Sequence, residues 1–383
     1  MRLLFYPNQC MGKNFMGSTN LNGDFEEYEN LHEFAIMAKQ KLSVETWDYL
    51  MGGAETETTL RRNRLALDML GFQPRVLRNV ESIDCGGKVL GQNLKLPIIL
   101  APIGALQDFD PDGGIAPTLA AVDAGVIHMV SSRTEPGLEA VAKATDYPKI
   151  FQLYVRGDPS WVDDHISRAI DSGYIGLALT VDLDYYGRRE RDLSKRYRTT
   201  ARRTSQATEW QYRFTWADIE RIRTKFNIPL ILKGIATAED SVLAVQSGVE
   251  AIYVSNHGGR QLDHGRGTLE VLPEVIDAAA DTVEIYVDGG FMRGTDIVKA
   301  MALGADAVGI GRLQGLALSA NGRIGVTRML ELLEMEIRTC LGLLGVTRYG
   351  ELDESYLHAV PPVESPGPLS AFPLMFEDYL YER

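Results

Sequence analysis

Cysteine is scarce in this sequence, and its few positions exclude two classes of protein. The three cysteines, Cys10, Cys85 and Cys340, are odd in number and far apart in the chain. No CxxC pair and no cluster of cysteine and histidine occurs, so neither a disulfide framework nor a zinc site is expected. We therefore predict no metal ion, and we expect the protein to reside in a reducing cytoplasm.

Long hydrophobic runs are also missing. The longest apolar stretch, LPIILAPIGAL at residues 96–106, contains two prolines and is about half as long as a membrane span. The N-terminal segment, MRLLFYPNQC, has too few apolar residues for a secretory signal. These absences predict a soluble protein that has no membrane partner.

Positive charge is in deficit. The sequence has 39 lysines and arginines against 52 aspartates and glutamates, a formal net charge of −13. Such a protein repels phosphate backbones, so nucleic acid is not expected as a partner. Residues 185–213 are an exception, with nine basic and three acidic residues. This segment either steers or covers an anionic substrate, or it is a solvated surface loop.

Short apolar runs alternate with helical segments from Leu96 onward, which indicates the fold. The runs are rich in Ile, Val and Leu, as expected of strands buried in a parallel sheet. They are LPIILA (96–101), GVIHMVS (125–131), KIFQLYV (149–155), YIGLALTV (174–181), IPLILK (228–233), EAIYVS (250–255), VEIYVD (283–288) and DAVGIG (306–311). Eight strand–helix pairs without a GxGxxG motif predict an α/β protein with a (β/α)8 TIM barrel, and a doubly wound open sheet is the alternative.

The remaining segments define the predicted domain organisation. Residues 1–30 are predicted to be a leader, residues 31–365 a single barrel domain, and residues 366–383 a C-terminal tail. Within the barrel domain, residues 31–80 are predicted to form an N-terminal helical extension. Among the barrel helices, Thr237 is a predicted N-cap, and either Thr295 or Asp296 is predicted to cap a later helix.

Polar or flexible residues follow every predicted strand. The set is Gly104, Ser131, Gln152 with Tyr154, Thr180 with Asp182, Lys233, Ser255 with His257, Asp288, and Gly311 with Arg312. Catalytic residues collect at the C-terminal ends of barrel strands, and inward polar groups are costly to bury without partners. A bound polar ligand at this end of the barrel is therefore expected.

The last two strand ends have the composition of a phosphate site. DGGFMRGTD places two glycines between a strand and a helix, and GIGRL repeats this arrangement. Glycines let backbone N–H groups approach an anion, and an arginine adds bidentate bonds. The other interpretation is that these glycines only form turns.

Three residues point to acid–base and charge-stabilising chemistry. His257 can move a proton near neutral pH, and Asp182 could orient its imidazole. Arg260, three residues later, presents a guanidinium that fits a carboxylate. Lys233 ends an apolar strand, where it stabilises either an anionic cofactor or, as the rival interpretation, a Schiff base.

At these residues the sequence resembles the FMN-dependent (S)-2-hydroxy acid oxidase and dehydrogenase family, which includes glycolate oxidase, lactate oxidase and mandelate dehydrogenase. The resemblance covers about residues 30–350. Its motifs are AKQKL…WDYLMGGAET (38–56), SS (131–132), FQLYV (151–155), ALTVD…GRRERD (178–192), LKGIATAEDSVLAVQSG (232–248), SNHGGRQLD (255–263), DGGFMRGTD (288–296) and GIGR (309–312).

The resemblance implies a role for each matching residue. FMN would lie across the barrel mouth and contact Pro102, Ile103, Gly104, Ser131, Gln152, Thr180, Lys233, Ser255, Asp288, Gly289, Gly290, Arg293, Gly311 and Arg312. Tyr49, Arg260 and Arg189 would hold the substrate carboxylate, and Tyr154 would contact the substrate hydroxyl. His257, paired with Asp182, would be the base in the oxidation of a 2-hydroxy acid to a 2-oxo acid. A homotetramer or homo-octamer is also implied.

Three positions depart from the family pattern. Arg133 stands where an aromatic residue is usual, and it either binds a second polar group of the substrate or contacts an acidic side chain or solvent. Met292 replaces a usual phosphate-binding arginine. Gly104 stands where oxidases tend to have alanine, which favours a dehydrogenase with another electron acceptor. The alternative functions are a flavin- or metabolite-binding barrel without turnover and an FMN-dependent isomerase.

Overall fold

The computed structural model describes residues 28–203 and 209–376, and eight of its strands form a closed parallel barrel. The barrel strands are β4 (Ile98–Leu100), β5 (Ile127–Ser131), β6 (Lys149–Leu153), β7 (Gly176–Thr180), β8 (Leu230–Ile235), β9 (Ala251–Val254), β10 (Glu284–Val287) and β11 (Ala307–Ile310). Their order around the barrel is β10-β11-β4-β5-β6-β7-β8-β9, and each hydrogen-bonded pair is parallel. All eight predicted strands and the TIM barrel are confirmed, and the open sheet is excluded.

Each barrel strand is followed by a helix that covers the outside of the barrel. These helices are α4 (Ile115–Ala124), α5 (Leu138–Ala144), α6 (Pro159–Asp171), α9 (Trp216–Lys225), α10 (Ala238–Gln246), α11 (Thr268–Ala279), α12 (Gly294–Ala302) and α13 (Arg312–Leu344). Thr237 caps α10 as predicted, because its side chain accepts a hydrogen bond from the Asp240 amide. Helix α13 has non-helical dihedral angles at Asn321 and Gly322, where two helical segments meet.

A short hairpin closes the N-terminal end of the barrel. Its strands are β2 (Gly87–Val89) and β3 (Gln92–Leu94), which pair antiparallel. Val89 and Leu94 are buried in one cluster with the inward-facing residues of the barrel strands, such as Ile127 and Tyr253. The interior is therefore packed at this end, and the opposite, C-terminal end is left for a ligand.

The additional helices lie at the N-terminus and after β7. Helices α1 (Leu31–Lys41), α2 (Val44–Met51) and α3 (Thr58–Asp68) confirm the predicted N-terminal helical segment, and α7 (Glu190–Ser194) and α8 (Thr200–Arg203) belong to the basic segment after β7. A two-stranded sheet joins β1 (Leu70–Phe72) to β12 (Leu357–Ala359). None of the described helices combines the length and apolarity needed to cross a bilayer.

The predicted C-terminal tail is partly packed on the domain. Phe372 is fully buried and its ring contacts the imidazole of His32 on α1 edge-on, with a centroid distance of 5.7 Å. Residues 366–376 therefore share the core of the barrel domain, whereas residues 377–383 and most of the predicted leader lie outside the described residues. The boundaries at residues 30 and 365 stay predictions.

Candidate active site

A cavity lies at the C-terminal end of the barrel, where the predicted site residues converge. It has a volume of about 1140 Å³, including space open to solvent. Its lining includes these predicted site residues: Tyr49, Pro102, Ile103, Gly104, Arg133, Tyr154, Arg189, Lys233, His257, Arg260, Asp288, Gly289, Gly290, Gly311 and Arg312. The structure thus brings most of the predicted set to one place.

His257 owes its position to a run of left-handed backbone. The φ angles of His257, Gly258 and Gly259 are 57°, 63° and 75°. Glycine is needed at the third position, because a Cβ on Gly259 would lie 2.5 Å from backbone atoms of Leu60. The two glycines after His257 therefore let the chain turn sharply.

A chain of hydrogen bonds joins three candidate catalytic groups. The Nδ1 atom of His257 lies 3.1 Å from Oδ1 of Asp182, and its Nε2 atom lies 3.2 Å from the hydroxyl oxygen of Tyr154. Because a carboxylate can only accept, Nδ1 carries the proton and Nε2 presents its lone pair toward Tyr154. This is the tautomer that a base acting through Nε2 requires.

Electrostatics support the same protonation states. Burial lowers the pKa of His257 below its ordinary value of 6.5, although Asp182 opposes this shift. Burial alone would raise the pKa of Asp182, but His257 and Lys233 outweigh burial and lower it. At neutral pH the pair is thus a neutral imidazole beside an ionised carboxylate.

Arg260 lies against Tyr49 in the cavity wall. Its Nη1 atom donates to the carbonyl oxygens of Tyr49 at 2.7 Å and Gly52 at 2.9 Å, and its guanidinium lies 4.8 Å from the centroid of the Tyr49 ring. Burial and then the nearby Arg189 lower the pKa of Arg260. Two guanidinium groups that repel one another in a buried wall would be stabilised by an anion.

The ammonium group of Lys233 is held by two neighbouring side chains. Its Nζ atom lies 3.0 Å from Oδ2 of Asp288 and donates to the Ser255 hydroxyl at 2.7 Å. Ser255 in turn donates to Oδ1 of Asp288 at 2.6 Å. This buried network fixes the ammonium group at the cavity and leaves Asp288 charge-neutralised.

The phosphate end of the predicted site contains the two glycine turns and Arg312. Gly289 and Gly290 have φ angles of 113° and 88°, and a Cβ on Gly290 would lie within 3.1–3.3 Å of Asn63 and Arg64 atoms on α3. Glycine is therefore required here for the packing of the turn against α3.

Arg312 fits a phosphate. Its Nη2 donates to the Gly52 carbonyl at 2.7 Å, whereas its buried Nε has no hydrogen-bond partner among the described residues. Burial, followed by repulsion from Arg260, lowers the pKa of Arg312 to about 9. A phosphate dianion beside Arg312 would accept a hydrogen bond from Nε and would raise the lowered pKa of the guanidinium. The residues present therefore fit the phosphate of FMN.

Four predicted cofactor-binding residues are buried beside the cavity and are not among its lining residues: Ser131, Gln152, Thr180 and Ser255. Gln152 donates through Nε2 to the Thr180 hydroxyl at 2.8 Å, while its Oε1 has no partner in the described part of the chain. A buried acceptor such as this Oε1 is usually hydrogen-bonded, and the ring N–H of a bound flavin would be a suitable donor.

Arg293 is predicted to contact FMN, but the structure places its side chain away from the cavity. It is the N-cap residue of α12, and its guanidinium pairs with Glu336 of α13 at 2.5 Å and contacts His32 at 3.0 Å. It does not line the cavity. The preceding residue, Met292, is buried, with 2% of its surface exposed.

The N-cap residue of α12 is Arg293, and neither Thr295 nor Asp296 occupies that position as predicted. Thr295 is not the N-cap, but the Asp296 carboxylate accepts hydrogen bonds from the amides of Met292 and Arg293 at 2.9 and 3.0 Å. It is held by Arg64, which contacts both of its oxygens at 2.7 and 2.8 Å. Asp296, the third residue of the helix, thus stabilises its first turn by accepting these amide hydrogen bonds.

Sequence reasoning missed several lining residues of the cavity. Arg156 and Arg202 lie in its wall with Tyr186. Arg156 follows the strand end two residues after Tyr154, and this spacing was a usable signal because alternate residues of an extended chain share a face. Arg202 lies on the short helix α8, and its sequence carried no such signal.

Comparisons with known proteins identify the family of the chain. A family described as FMN-dependent dehydrogenase matches residues 38–359. Glycolate oxidase 1 of Oryza sativa subsp. indica is 37% identical over 354 residues, which cover 87% of this chain and 96% of that protein. Glycolate oxidase of Spinacia oleracea is 36% identical over 355 residues, with coverages of 87% and 96%.

Solved structures of mandelate oxidase share the fold. The complex with benzoyl-formic acid is 36% identical, with a TM-score of 0.81 and coverage of 88% of this chain and 100% of that chain. A mutant with the C4a-OH-FMN adduct is 35% identical, with a TM-score of 0.79 and coverages of 87% and 100%. The resemblance seen in the motifs and the predicted FMN cofactor are confirmed. The chain belongs to the family of FMN-dependent dehydrogenases.

Proposed function

We propose that this protein oxidises (S)-2-hydroxy acids to 2-oxo acids at the barrel mouth, with His257 as the base. The observation that carries the proposal is the hydrogen-bonded chain Tyr154–His257–Asp182, because its first two members line the same cavity as Arg260. A positioned base and a carboxylate-binding group are the two elements that such a substrate needs.

The residues that would hold FMN surround the cavity. Pro102, Ile103 and Gly104 form one wall and Lys233 and Asp288 another, and the glycine turns with Arg312 would receive the phosphate. Bound FMN supplies the acceptor for two electrons. A fixed cation such as Lys233 stabilises negative charge where it develops, because its position costs no reorganisation at the moment of reaction.

The substrate carboxylate would lie between Arg260 and Arg189, with the Tyr49 ring beside both. The two guanidinium carbons are 4.8 and 6.0 Å from the Tyr49 centroid. Arginine pairs bidentately with carboxylates and fixes orientation as well as charge. This clamp would place the C2 hydroxyl near Tyr154 and Nε2 of His257.

The proton transfers follow from the tautomer of His257. The reaction removes two electrons and two protons from the C2–H and O–H groups. Nε2 takes either the hydroxyl proton, as the hydrogen on C2 leaves with its electron pair, or the proton from C2. In both cases the ionised Asp182 stabilises the imidazolium that forms.

Reduced FMN could pass its electrons to dioxygen or to another acceptor. The names of the relatives, glycolate oxidase and mandelate oxidase, favour dioxygen. Gly104 favours another acceptor, because it lacks the methyl group that family oxidases tend to have there. The rate at which air re-oxidises the reduced protein discriminates between them.

The proposal includes the cellular location and the oligomeric state of the protein. We expect it to act in the cytoplasm as a homotetramer or homo-octamer, as its cysteine usage and its family resemblance suggest. Light scattering after gel filtration measures the assembly, and a monomer would exclude it.

The experiment that tests the function is anaerobic reduction of the flavin. The purified yellow protein is mixed with (S)-2-hydroxy acids in the absence of air, and each (R) enantiomer is the control. We expect loss of flavin absorbance and formation of the 2-oxo acid with (S) acids only. An unchanged spectrum with every acid would favour the binding barrel without turnover or the isomerase.

A further inference from the structure

The cavity carries more positive charge than the proposed reaction uses. Six arginines and Lys233 line it, and Asp288 is the sole acidic residue among the described lining residues. The substrate carboxylate and the phosphate of FMN account for Arg189, Arg260 and Arg312. The proposed reaction leaves three arginines without a role: Arg133, Arg156 and Arg202.

These three arginines lie on one side of the barrel mouth. Arg133 follows β5, Arg156 follows β6, and Arg202 lies on α8 in the segment after β7, so they extend from three neighbouring strands. In the order of the closed barrel, β6 stands opposite β10, which carries the Gly289–Gly290 turn. The arginines are thus across the mouth from the phosphate end.

The three side chains influence one another. Burial lowers the pKa of Arg156, and Arg133 and Arg202 lower it further. Arg133 donates from Nη2 to the carbonyl of Ala201, which ties it to α8 next to Arg202. Glu135 attracts Arg133, but it does not line the cavity. Like charges held half-buried together are stabilised by an anion between them.

One ring connects this cluster to the proposed carboxylate clamp. The guanidinium of Arg202 lies 4.0 Å from the centroid of Tyr186, and that of Arg189 lies 4.3 Å from the same centroid. Arg189 and Arg202 are therefore neighbours across a single tyrosine. A small molecule with two anionic groups could contact both arginines at once.

We propose that Arg133, Arg156 and Arg202 form a second anion subsite that binds a distal carboxylate, so that the preferred substrates are (S)-2-hydroxy dicarboxylates. This inference rests on the proposed function, because it needs a 2-hydroxy acid to be oxidised in the same cavity. The distal carboxylate is unchanged in the reaction. It is bound because guanidinium groups form strong, charge-assisted hydrogen bonds with carboxylates.

The test compares acids that differ only at the distal group. (S)-2-Hydroxysuccinate is matched with (S)-2-hydroxybutanoate, and (S)-2-hydroxyglutarate with (S)-2-hydroxypentanoate, so that a methyl group replaces each distal carboxylate. We expect kcat/KM for anaerobic flavin reduction to be at least about tenfold higher for one diacid than for its partner, as a charge-assisted hydrogen bond contributes. Equal values for both pairs would overturn the second subsite.

Three variants locate the preference in the cluster. R133M and R202M should each lower the diacid-to-monoacid ratio by roughly tenfold, and R133K should retain part of it. R203M is the matched control, since Arg203 lies on the same helix, is exposed and does not line the cavity. A ratio that neither R133M nor R202M changes would remove these arginines from substrate binding.

Equilibrium binding gives an independent readout. Isothermal titration of the oxidised holoenzyme with 2-oxoglutarate and 2-oxopentanoate should show tighter binding of the diacid, with a stronger loss at high salt. Flavin reduction by monoacids alone would overturn the subsite and leave the proposed reaction standing. No flavin reduction by any acid would overturn the proposed reaction and this substrate class together.

Discussion

The hydroxyl oxygen of Tyr154 lies 3.2 Å from Nε2 of His257. Tyr154 follows β6 and His257 follows β9, so the contact spans the barrel mouth. Burial raises the pKa of Tyr154 far above its ordinary value, and this hydroxyl therefore stays protonated and donates to the imidazole. The nitrogen that would accept a substrate proton is thus kept in position and unprotonated.

Replacement of His257 tests the assignment of the base. H257Q should bind FMN and stay yellow, while flavin reduction slows by about 10²–10⁴-fold, the usual contribution of a positioned base. Anaerobic stopped-flow spectroscopy measures the rate. H264Q is the control, because the His264 side chain is 65% exposed. Reduction by H257Q at the wild-type rate would remove His257 from its role.

The lowered pKa of His257 predicts how kcat/KM depends on pH. Burial lowers the pKa of this group below 6.5, and only the neutral imidazole accepts a proton. The value of kcat/KM should therefore be constant near neutral pH and fall as the pH drops through a pKa below 6.5. An acidic limb centred above pH 6.5 would contradict the described environment.

Asp182 provides a companion test of the same pair. D182N removes the charge that raises the pKa of His257 and favours the wrong tautomer. The acidic limb should move to lower pH, and the plateau should fall by about 10²–10⁴-fold. D184N is the control, since Asp184 is an exposed neighbour in the chain. A limb that moves to higher pH would exclude the pairing.

Lys233 should set the reduction potential of bound FMN. In K233M the ammonium group is lost, so the midpoint potential should become more negative by about 30 mV or more, since 30 mV corresponds to about 1.4 kcal/mol for two electrons. Equilibration with a reference dye measures the potential. K88M, at an exposed residue of β2, should leave it unchanged. An unchanged potential in K233M would show that Lys233 only neutralises Asp288.

The buried pair of Arg64 and Asp296 should hold the Gly289–Gly290 turn, which we propose as part of the phosphate site. Arg64 contacts both oxygens of Asp296 and the Gly290 carbonyl at 3.2 Å. R64M leaves a buried charge unpaired and should reduce the free energy of unfolding by about 3–5 kcal/mol in urea titrations. R61M, at an exposed residue of the same helix, should change it by less than about 0.5 kcal/mol.

The pH dependence of this pair has a definite sign. Burial opposes ionisation of Asp296, but Arg64 lowers its pKa below the ordinary carboxyl value. The stabilisation is therefore present above the carboxyl pKa of the unfolded chain, and it is lost as the pH falls through the lower folded value. Wild-type and R64M protein should converge in stability at acid pH, and a constant difference would contradict the pairing.

Much of this architecture could be predicted from the sequence because strands and their ends are local features. Apolar runs identified all eight barrel strands, and the residues that follow them, such as His257 and Lys233, converge as a closed barrel requires. What could not be predicted is the direction of side chains in loops. Arg293, the N-cap residue of α12, pairs with Glu336, and Arg202 lines the cavity from a four-residue helix.

The most direct measurement of the central claim is a crystal structure of the protein with FMN and a 2-oxo acid. We predict that the carboxylate of the acid lies on Arg260 and Arg189 over the flavin ring. Its 2-oxo oxygen should lie within hydrogen-bonding distance of the Tyr154 hydroxyl, and its C2 atom beside Nε2 of His257. An acid bound elsewhere, or His257 and Arg260 turned away from a shared cavity, would contradict the account.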